Sequence, residues 1–476
     1  MGLYEEIKEE IHSSLLSLTN KKEKITWNAF IQDIQQTILS KYNNQNIDSY
    51  KKSWKHCFKT AAKYLELQID HHQRKEGDKW KELIVNSLST YTPTQISSIR
   101  TTFSKSTSTL EYQKMLTNSD IILLQNNHNK ITKKWSLSSG RNVEDVLFNA
   151  SKCFKFEHPG HSYILDLNDE VWKNYFSSEE MAELHSHKDN ALIEQLPIEL
   201  NEMLQKLNGK ATFREIYDVY QNVEADPVED IDKFWIKQSI LNYVLLFVDS
   251  DEHDDYGKEQ DLLHGVYGFI KQSKRLSKTK VISNTGSQSS ADCKNSLRSI
   301  GSIDKICKQA PGDRPDLCFT YLSNEIGCLE IGLTNRGTNG TKEINENNIK
   351  IPIMLKSFHY RIATQYNISA NKTKVIGFII SGMYISGLVM TFNNGSVSLI
   401  SRSRRMKMPE TVAEIPLLLP PVLKLIYNAS QTMKGTIDFI KEIFLNVSLD
   451  ELDVPYFPPC FAVCNLNKKR KTSISN

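Results

Sequence analysis

Apolar residues recur every three or four positions through most of the first 135 residues, which predicts amphipathic helices joined by polar segments. The clearest examples are residues 25–42 and 49–69, where apolar side chains alternate with Lys, Gln and Asn in the helical period. No motif for catalysis or ligand binding occurs in this part of the chain. We therefore expect residues 1–135 to form a mostly helical N-terminal region.

Residues 136–255 are also mostly helical in pattern, apart from a turn and a short strand-like run within 158–172, and the most apolar segment, 230–248, predicts a buried helix. The pattern then changes to short apolar runs bounded by turn residues, which are typical of β-strands. These runs cover 315–322, 327–333, 374–382, 384–392 and 396–402, and a helical pattern at 342–366 separates the second run from the third. Helical periodicity resumes from 411 to 445.

This order of elements predicts an α/β protein with a mixed central sheet flanked by helices. Because 476 residues exceed one ordinary hydrophobic core, we expect two or three domains. The predicted regions are a helical N-terminal region at 1–135, a helical middle region packing on the core at 136–255, an α/β core with C-terminal helices at 256–458, and a basic flexible tail at 459–476.

Charge is divided unevenly along the chain. The formal net charge is only +3, but residues 256–476 contain 29 Lys and Arg against 17 Asp and Glu, whereas residues 1–255 contain 30 against 39. A basic C-terminal part favours contact with a polyanion such as nucleic acid. A chance division of the charges is the alternative.

The sequence also bears on location. No run reaches the roughly 20 apolar residues of a membrane span, and the longest candidate, 240–248, has about half that length, so we expect no membrane partner. Eight scattered cysteines favour reduced thiols in an intracellular protein over a disulfide framework. A basic run at 468–471 fits a nuclear import signal, so we expect nuclear localisation, with the cytoplasm as the alternative.

Two carboxylates interrupt the strand pattern. Asp316 opens the first strand run, and Glu330 lies between Leu329 and Ile331 inside the second. Burial of a carboxylate is costly unless it is paired, whereas Mg²⁺ binds through one or two carboxylates plus water. If the two strands form a hairpin, Asp316 and Glu330 can share a magnesium ion. The structural alternatives are a turn residue for Asp316 and a solvated sheet face for Glu330.

The order of helix, Pro-Asp, strand with Glu, helix and strand resembles the PD-(D/E)XK nuclease superfamily, which has the restriction-endonuclease-like fold. On this resemblance Asp316 matches the first motif, Glu330 matches the glutamate of the second, and Glu259 on the preceding helix would be an additional metal ligand. Gly332 stands where the superfamily has its lysine. The resemblance therefore implies a catalytic lysine from the following helix, and the candidates are Lys342, Lys350 and Lys356.

Residues from about 140 to 445 more loosely resemble an uncharacterised protein family of Mucor-like fungi. The likeness lies in a Gly-Arg-x-Val-Glu-Asp segment at 140–145 and in the Pro-Asp-Leu and Glu-x-Gly segments around Asp316 and Glu330. This second resemblance implies no activity.

Two basic clusters flank the expected sheet. Lysine and arginine side chains contact phosphates without reading sequence, and a solvated charged face is the alternative for each cluster. The candidate nucleic-acid-binding residues are Lys274 and Arg275 before the sheet and Arg402, Arg404, Arg405 and Lys407 after its last strand.

Together these features predict a nucleic-acid-binding protein, with DNA favoured over RNA, that carries out Mg²⁺-dependent phosphodiester cleavage. The alternative is a catalytically inactive descendant of the nuclease fold, or an unrelated α/β scaffold that acts through protein or nucleic-acid binding. Gly332 favours this alternative, because it removes the lysine from its usual position.

Overall fold

The computed structural model describes residues 7–20, 25–40, 47–68, 115–248, 258–296, 308–333, 345–366, 370–392, 395–445 and 456–461. The chain divides into two compact units, Met1–Tyr112 and Gln113–Asn476. The middle region and the expected α/β core therefore belong to one unit. Lys342 and the basic run at 468–471 lie outside the described residues.

The described part of the first unit is helical, as the periodicity predicts. Its helices are α1 (Lys8–Asn20), α2 (Trp27–Asp33), α3 (Gln35–Ser40) and α4 (Ile47–Tyr64). Ile11 and Leu15 of α1 join Phe30 of α2 and Trp54 and Phe58 of α4 in one buried cluster. The rings of Phe30 and Phe58 lie 4.9 Å apart. An apolar stripe on each helix thus produces the small core of this unit.

The second unit begins with helices and then builds a sheet. Its helices are α5 (Asn118–Asn129), α6 (Val143–Ser151), α7 (Ser178–Ser186), α8 (Ile198–Gln205), α9 (Phe213–Gln221), α10 (Ile231–Val244), α11 (Glu259–Gly265), α12 (Gly268–Gln272), α13 (Lys274–Ser277), α14 (Gln288–Asn295), α15 (Ile351–Tyr366) and α16 (Ile415–Leu445). Helices α5, α7 and α9 each begin with a capping box. In each, the hydroxyl of the N-cap Thr or Ser accepts a hydrogen bond from the backbone N–H three residues later, and the acidic side chain at that later position accepts one from the N-cap N–H.

The strands form one mixed sheet in the order β1-β7-β6-β5-β4-β3-β2, and β8 also pairs with β6. They are β1 (Ile164–Asp166), β2 (Lys280–Ser283), β3 (Leu317–Tyr321), β4 (Asn324–Gly332), β5 (Val375–Ser381), β6 (Tyr384–Phe392), β7 (Ser398–Arg402) and β8 (Met406–Lys407). The pairs β4–β5 and β1–β7 are parallel, and the other pairs are antiparallel. The predicted α/β class and mixed sheet are confirmed, and the five predicted strand runs are β3 to β7.

Helices cover both faces of the sheet. A Cβ atom on Gly377 of β5 would lie 2.6 Å from the side chain of Ile351, so α15 packs closely on one face. On the opposite face, Cβ atoms on Gly327 and Gly387 would meet Met433 and Leu425 of α16 at 3.1 and 3.0 Å. Cys328 of β4 lies beside Gly377 of β5, so both residues face α15. Because side chains alternate along a strand, Glu330, two residues after Cys328, points toward the same face.

Within the described ranges, one helix, Val412–Ile443, is long and apolar enough to cross a membrane by length and composition, and 56% of its apolar window is buried. Leu419, Val422 and Ile426 of this helix belong to the core beneath the sheet. The sequence predicts a helix over 411–445 but does not single it out as a membrane-spanning candidate, because polar residues such as Lys424 and Asn428 interrupt its apolar run.

Glu144, from the Gly-Arg-x-Val-Glu-Asp segment, joins α6 to the turn between β6 and β7. Its buried carboxylate accepts hydrogen bonds from the backbone N–H of Trp135 at 2.8 Å and of Ser396 at 2.6 Å. In the same segment, Arg141 forms a 2.7 Å ion pair with the buried Glu180. These contacts account for two residues of the segment as structural supports.

We expect Glu144→Ala to lower the free energy of unfolding by roughly 2–5 kcal/mol, because two buried N–H groups lose their acceptor at about 1–3 kcal/mol each. Chemical denaturation of the full chain measures this loss. The control is Glu170→Ala, an exposed carboxylate paired with Lys173, which should change stability by less than about 0.5 kcal/mol. Equal losses in the two variants would contradict the role assigned to Glu144.

Candidate functional site at the β3–β4 edge

The strands that carry Asp316 and Glu330 form a hairpin. β3 and β4 are antiparallel, with Leu317 opposite Leu329. The backbone N–H of Asp316 donates to Leu329 O at 3.0 Å, and the N–H of Ile331 donates to Asp316 Oδ2 at 2.8 Å. The Asp316 carboxylate is therefore held beside the two residues that flank Glu330.

Glu330 is 2% exposed, and its charge is compensated by a lysine. Lys350 Nζ lies 2.6 Å from Glu330 Oε1 and donates to Arg314 O at 3.3 Å. The Lys350 side chain is 28% exposed, so the ion pair lies at the boundary between the core and solvent. Lys350 ends a single π-helical turn, Glu346–Lys350, that leads directly into α15. Such turns are frequent at functional sites.

Burial dominates the protonation of Glu330. It raises the pKa of this carboxyl group from 4.5 to about 8, despite the opposing effect of Lys350, and the carboxylates of Asp316 and Glu346 raise the pKa further. Glu330 can therefore change its charge near neutral pH. A second cation at this position would favour the ionised form.

Of the two candidate lysines that the structure describes, Lys350 lies at the carboxylates. Lys356 is fully buried elsewhere, with Nζ 3.1 Å from Ser398 Oγ. Lys342 lies outside the described residues. Glu259 is half-buried in the first turn of α11, a helix that packs against β4. The candidate site therefore consists of Asp316, Glu330 and Lys350.

The basic residues occupy three kinds of environment. Lys274, Arg275 and Arg404 are exposed, as a phosphate-binding surface requires. The guanidinium of Arg405 lies over the Tyr384 ring at 4.4 Å. Lys407 forms ion pairs with two glutamates of its own loop, at 2.7 and 3.3 Å.

Arg402 differs from the expected surface cation. Its side chain is 9% exposed, lies 2.6 Å from the carboxylate of Asp166, and donates to the side chain and the backbone oxygen of Asn347. Arg402 therefore ties β7 to β1 and to the π-helical turn that also carries Lys350. No local pattern predicts this contact, because Asp166 lies 236 positions away along the chain.

A cleft of about 780 Å³ lies beside Arg402, and the sequence analysis did not find it. Phe154 and Trp172 line it together with Asp166, Asp169 and Asn347. Two of its carboxylates are paired within the protein: Asp166 pairs with Arg402, and Asp169 pairs with His158 at 2.8 Å. The volume suits a small ligand, but these polar groups are engaged within the protein.

The carboxylate pair fits a hard cation better than a soft one. Among the described residues, no group of three or more His, Cys, Asp or Glu side chains is arranged to hold a metal ion. Asp316 and Glu330 supply two oxygen-bearing groups, the number with which Mg²⁺ is often bound when it keeps several waters. The ammonium of Lys350 already lies against Glu330, so a metal ion would share this carboxylate with the lysine.

Comparison of the chain with protein-family models, with curated proteins and with solved structures finds no match. The geometry of Asp316, Glu330 and Lys350 is therefore the basis on which function is inferred.

We expect Glu330→Gln to remove a pH dependence of stability. The pKa of Glu330 is about 8 in the folded chain against an ordinary 4.5, so the folded state binds more protons than the unfolded state between these values. The contribution of protonated Glu330 to the free energy of unfolding is therefore complete below pH 4.5 and is lost as the pH rises to 8. The free energy of unfolding falls over this range by at most about 1.4 kcal/mol per pH unit. The difference in unfolding free energy between wild type and variant should follow this course.

Denaturation at a series of pH values from 4 to 9 measures that difference. Glu170→Gln, an exposed carboxylate, serves as the control and should track the wild type. A constant difference between wild type and Glu330→Gln across the series would contradict the raised pKa.

Proposed function

We propose that this protein binds nucleic acid and cleaves phosphodiester bonds with the help of Mg²⁺ at a site formed by Asp316, Glu330 and Lys350. The observation that carries the proposal is the contact of Lys350 with buried Glu330, beside the Asp316 carboxylate. Along the chain, α11 precedes β3, β4, α15 and β5, the order on which the resemblance to PD-(D/E)XK nucleases rests, although α12, α13, β2 and α14 lie between α11 and β3.

Asp316 and Glu330 would hold the metal ion, which supplies activation of water and compensation of charge on the phosphate. Lys350 contributes an ammonium from the start of α15, where Gly332 has no side chain to offer. Because Lys350 is partly exposed, it can reach a phosphate oxygen or orient an attacking water molecule. Metal binding requires the ionised form of Glu330, so it should release a proton and strengthen as pH rises toward 8.

The proposed substrate is nucleic acid, with DNA favoured over RNA, and the proposed location is the nucleus. The exposed side chains of Lys274, Arg275 and Arg404 and the basic balance of residues 256–476 support a polyanionic partner.

A binding protein without catalytic activity is the second candidate. It is favoured by Gly332 and by the ion pair itself, because a lysine at 2.6 Å already satisfies the buried charge of Glu330 without a metal. In that case the two carboxylates are structural, and nucleic-acid or protein binding is the whole function.

We expect the full chain to cleave plasmid, linear or single-stranded DNA with Mg²⁺ or Mn²⁺. Asp316→Asn, Glu330→Gln and Lys350→Met should each slow cleavage by about 100-fold or more, because each removes a charge from the reacting centre. Lys350→Arg, which keeps the charge, should retain part of the activity. RNA tested in parallel defines the preferred substrate.

The matched controls are Glu170→Gln and Lys173→Met, which change an exposed ion pair of the same 2.6 Å length and should leave cleavage unchanged. Calorimetric titration with Mg²⁺ gives a readout besides activity, and Asp316→Asn and Glu330→Gln should weaken metal binding. Intact DNA together with normal DNA binding would exclude the nuclease and leave the binding protein.

We expect Lys274→Ala and Arg275→Ala each to reduce the slope of log binding constant against log salt by about 1, because each removes one phosphate contact. Fluorescence anisotropy with labelled duplex DNA at several salt concentrations measures the slope. Lys407→Ala is the control, since its ammonium is already paired with Glu410 and Glu414. The same slope in all four proteins would remove Lys274 and Arg275 from the interface.

A further inference from the structure

Residues 456–461 form a short segment, here called the C-terminal strap, that lies against α15. The backbone oxygen of Tyr456 accepts a bond from Ser396 Oγ at 2.9 Å, and the N–H of Phe461 donates to Ser162 Oγ at 2.9 Å. Phe457 packs edge-on against Phe392, with ring centroids 4.6 Å apart. The strap is therefore fixed near both ends and by a buried aromatic ring between them.

The strap covers a buried lysine that forms no ion pair with a described carboxylate. Lys356 is fully buried, and its Nζ lies 3.5 Å from the centroid of the Phe457 ring and 3.1 Å from Ser398 Oγ. In the described part of the chain no Asp or Glu forms an ion pair with it. Burial lowers its pKa to about 7. A buried cation of this kind favours an anion close by.

Two thiols lie beside this lysine. Cys460 of the strap has its Sγ 3.3 Å from Ser357 Oγ and 3.3 Å from Ile353 O, both on α15. Cys293 comes from α14, which packs against α15, and its thiol interacts with that of Cys460. This interaction, with help from Lys356, lowers the pKa of Cys293. A lowered pKa favours the thiolate, which is the form of a cysteine that attacks an oxidant.

We propose that Cys293 and Cys460 are a redox pair that a hydroperoxide converts to a disulfide, which fastens the C-terminal strap to α14 above Lys356. The inference does not depend on the proposed nuclease activity. It rests on the contacts that place both thiols and the unpaired ammonium in one buried cluster.

The reaction balances in two steps. The Cys293 thiolate attacks hydrogen peroxide, so an S–O bond forms, the O–O bond breaks, and the departing hydroxide takes up a proton as water. Cys460 then attacks the sulfenic sulfur of Cys293, an S–S bond replaces the S–O bond, and the oxygen leaves as water with the thiol proton of Cys460. The two thiols lose two electrons and the peroxide gains two.

Access to the thiols requires the strap to open. Cys293 and Cys460 are 4% and 8% exposed, so the oxidant reaches them only during local opening of the strap. Cys153 is exposed and has no such protection. Among the described cysteines, alkylation of the native chain should therefore label Cys153 first, whereas peroxide should yield the Cys293–Cys460 disulfide. Once formed, the disulfide should restrict the same opening.

The test treats the full chain with hydrogen peroxide, digests it without reductant and identifies cross-linked peptides by mass spectrometry. The expected product joins Cys293 to Cys460 within one molecule and disappears with dithiothreitol. Hydrogen exchange at residues 456–461 should become at least tenfold slower in the oxidised protein. Cys153→Ser should behave as wild type, and Cys460→Ser should show neither the cross-link nor the slower exchange.

Oxidation of Cys153 alone, with Cys293 and Cys460 recovered as free thiols, would overturn the proposal. A cross-link between other cysteines, or a Cys293–Cys460 disulfide without slower exchange in the strap, would overturn it as well. Because the cross-link is mapped in the wild-type chain, the result does not depend on whether Cys460→Ser folds.

Discussion

The carboxyl group of Glu330 is buried on the face of the sheet that α15 covers, and the ammonium of Lys350 compensates its charge when it is ionised. A buried charge is costly unless a partner compensates for it, and removal of one partner of a buried pair typically costs about 3–5 kcal/mol. The 2.6 Å contact between these two side chains fixes the start of α15 over the end of β4. Buried apolar side chains such as Ile351, Leu355 and Phe358 hold α15 on the sheet, and the contact of Lys350 with Glu330 sets the geometry of the candidate site.

Residues of the π-helical turn before α15 contact two buried charged side chains, Glu330 and Arg402. Lys350 at its end compensates Glu330, and Asn347 within it receives Arg402, which in turn compensates Asp166. These contacts join the ends of β4, β7 and β1 through a single turn of backbone. A site held in this way is preorganised, because its side chains are oriented before any ligand arrives. The same contacts explain why a change at Lys350 must be separated experimentally from a loss of stability.

Two lysines six residues apart have opposite roles. Lys350 reaches a carboxylate at the solvent boundary, whereas Lys356 is fully buried beside thiols and hydroxyl groups. Six residues correspond to about 240° around a helix axis, so the two side chains point to different surroundings. The first belongs to the candidate metal site, and the second lies beneath the C-terminal strap. Lys350 and Lys356 are close in sequence, but their side chains lie in different environments.

The local pattern of the sequence was sufficient to predict the α/β class and strands β3 to β7. It also predicted that Asp316 and Glu330 lie side by side, because a hairpin brings together residues only fourteen positions apart. It was not sufficient for β2, whose polar residues become a strand through pairing with β3. Nor could it choose among the candidate lysines, find the partner of Arg402 or bring Cys293 to Cys460. These contacts join residues that are distant along the chain. Only the packing of helices on the folded sheet decides which of those side chains meet.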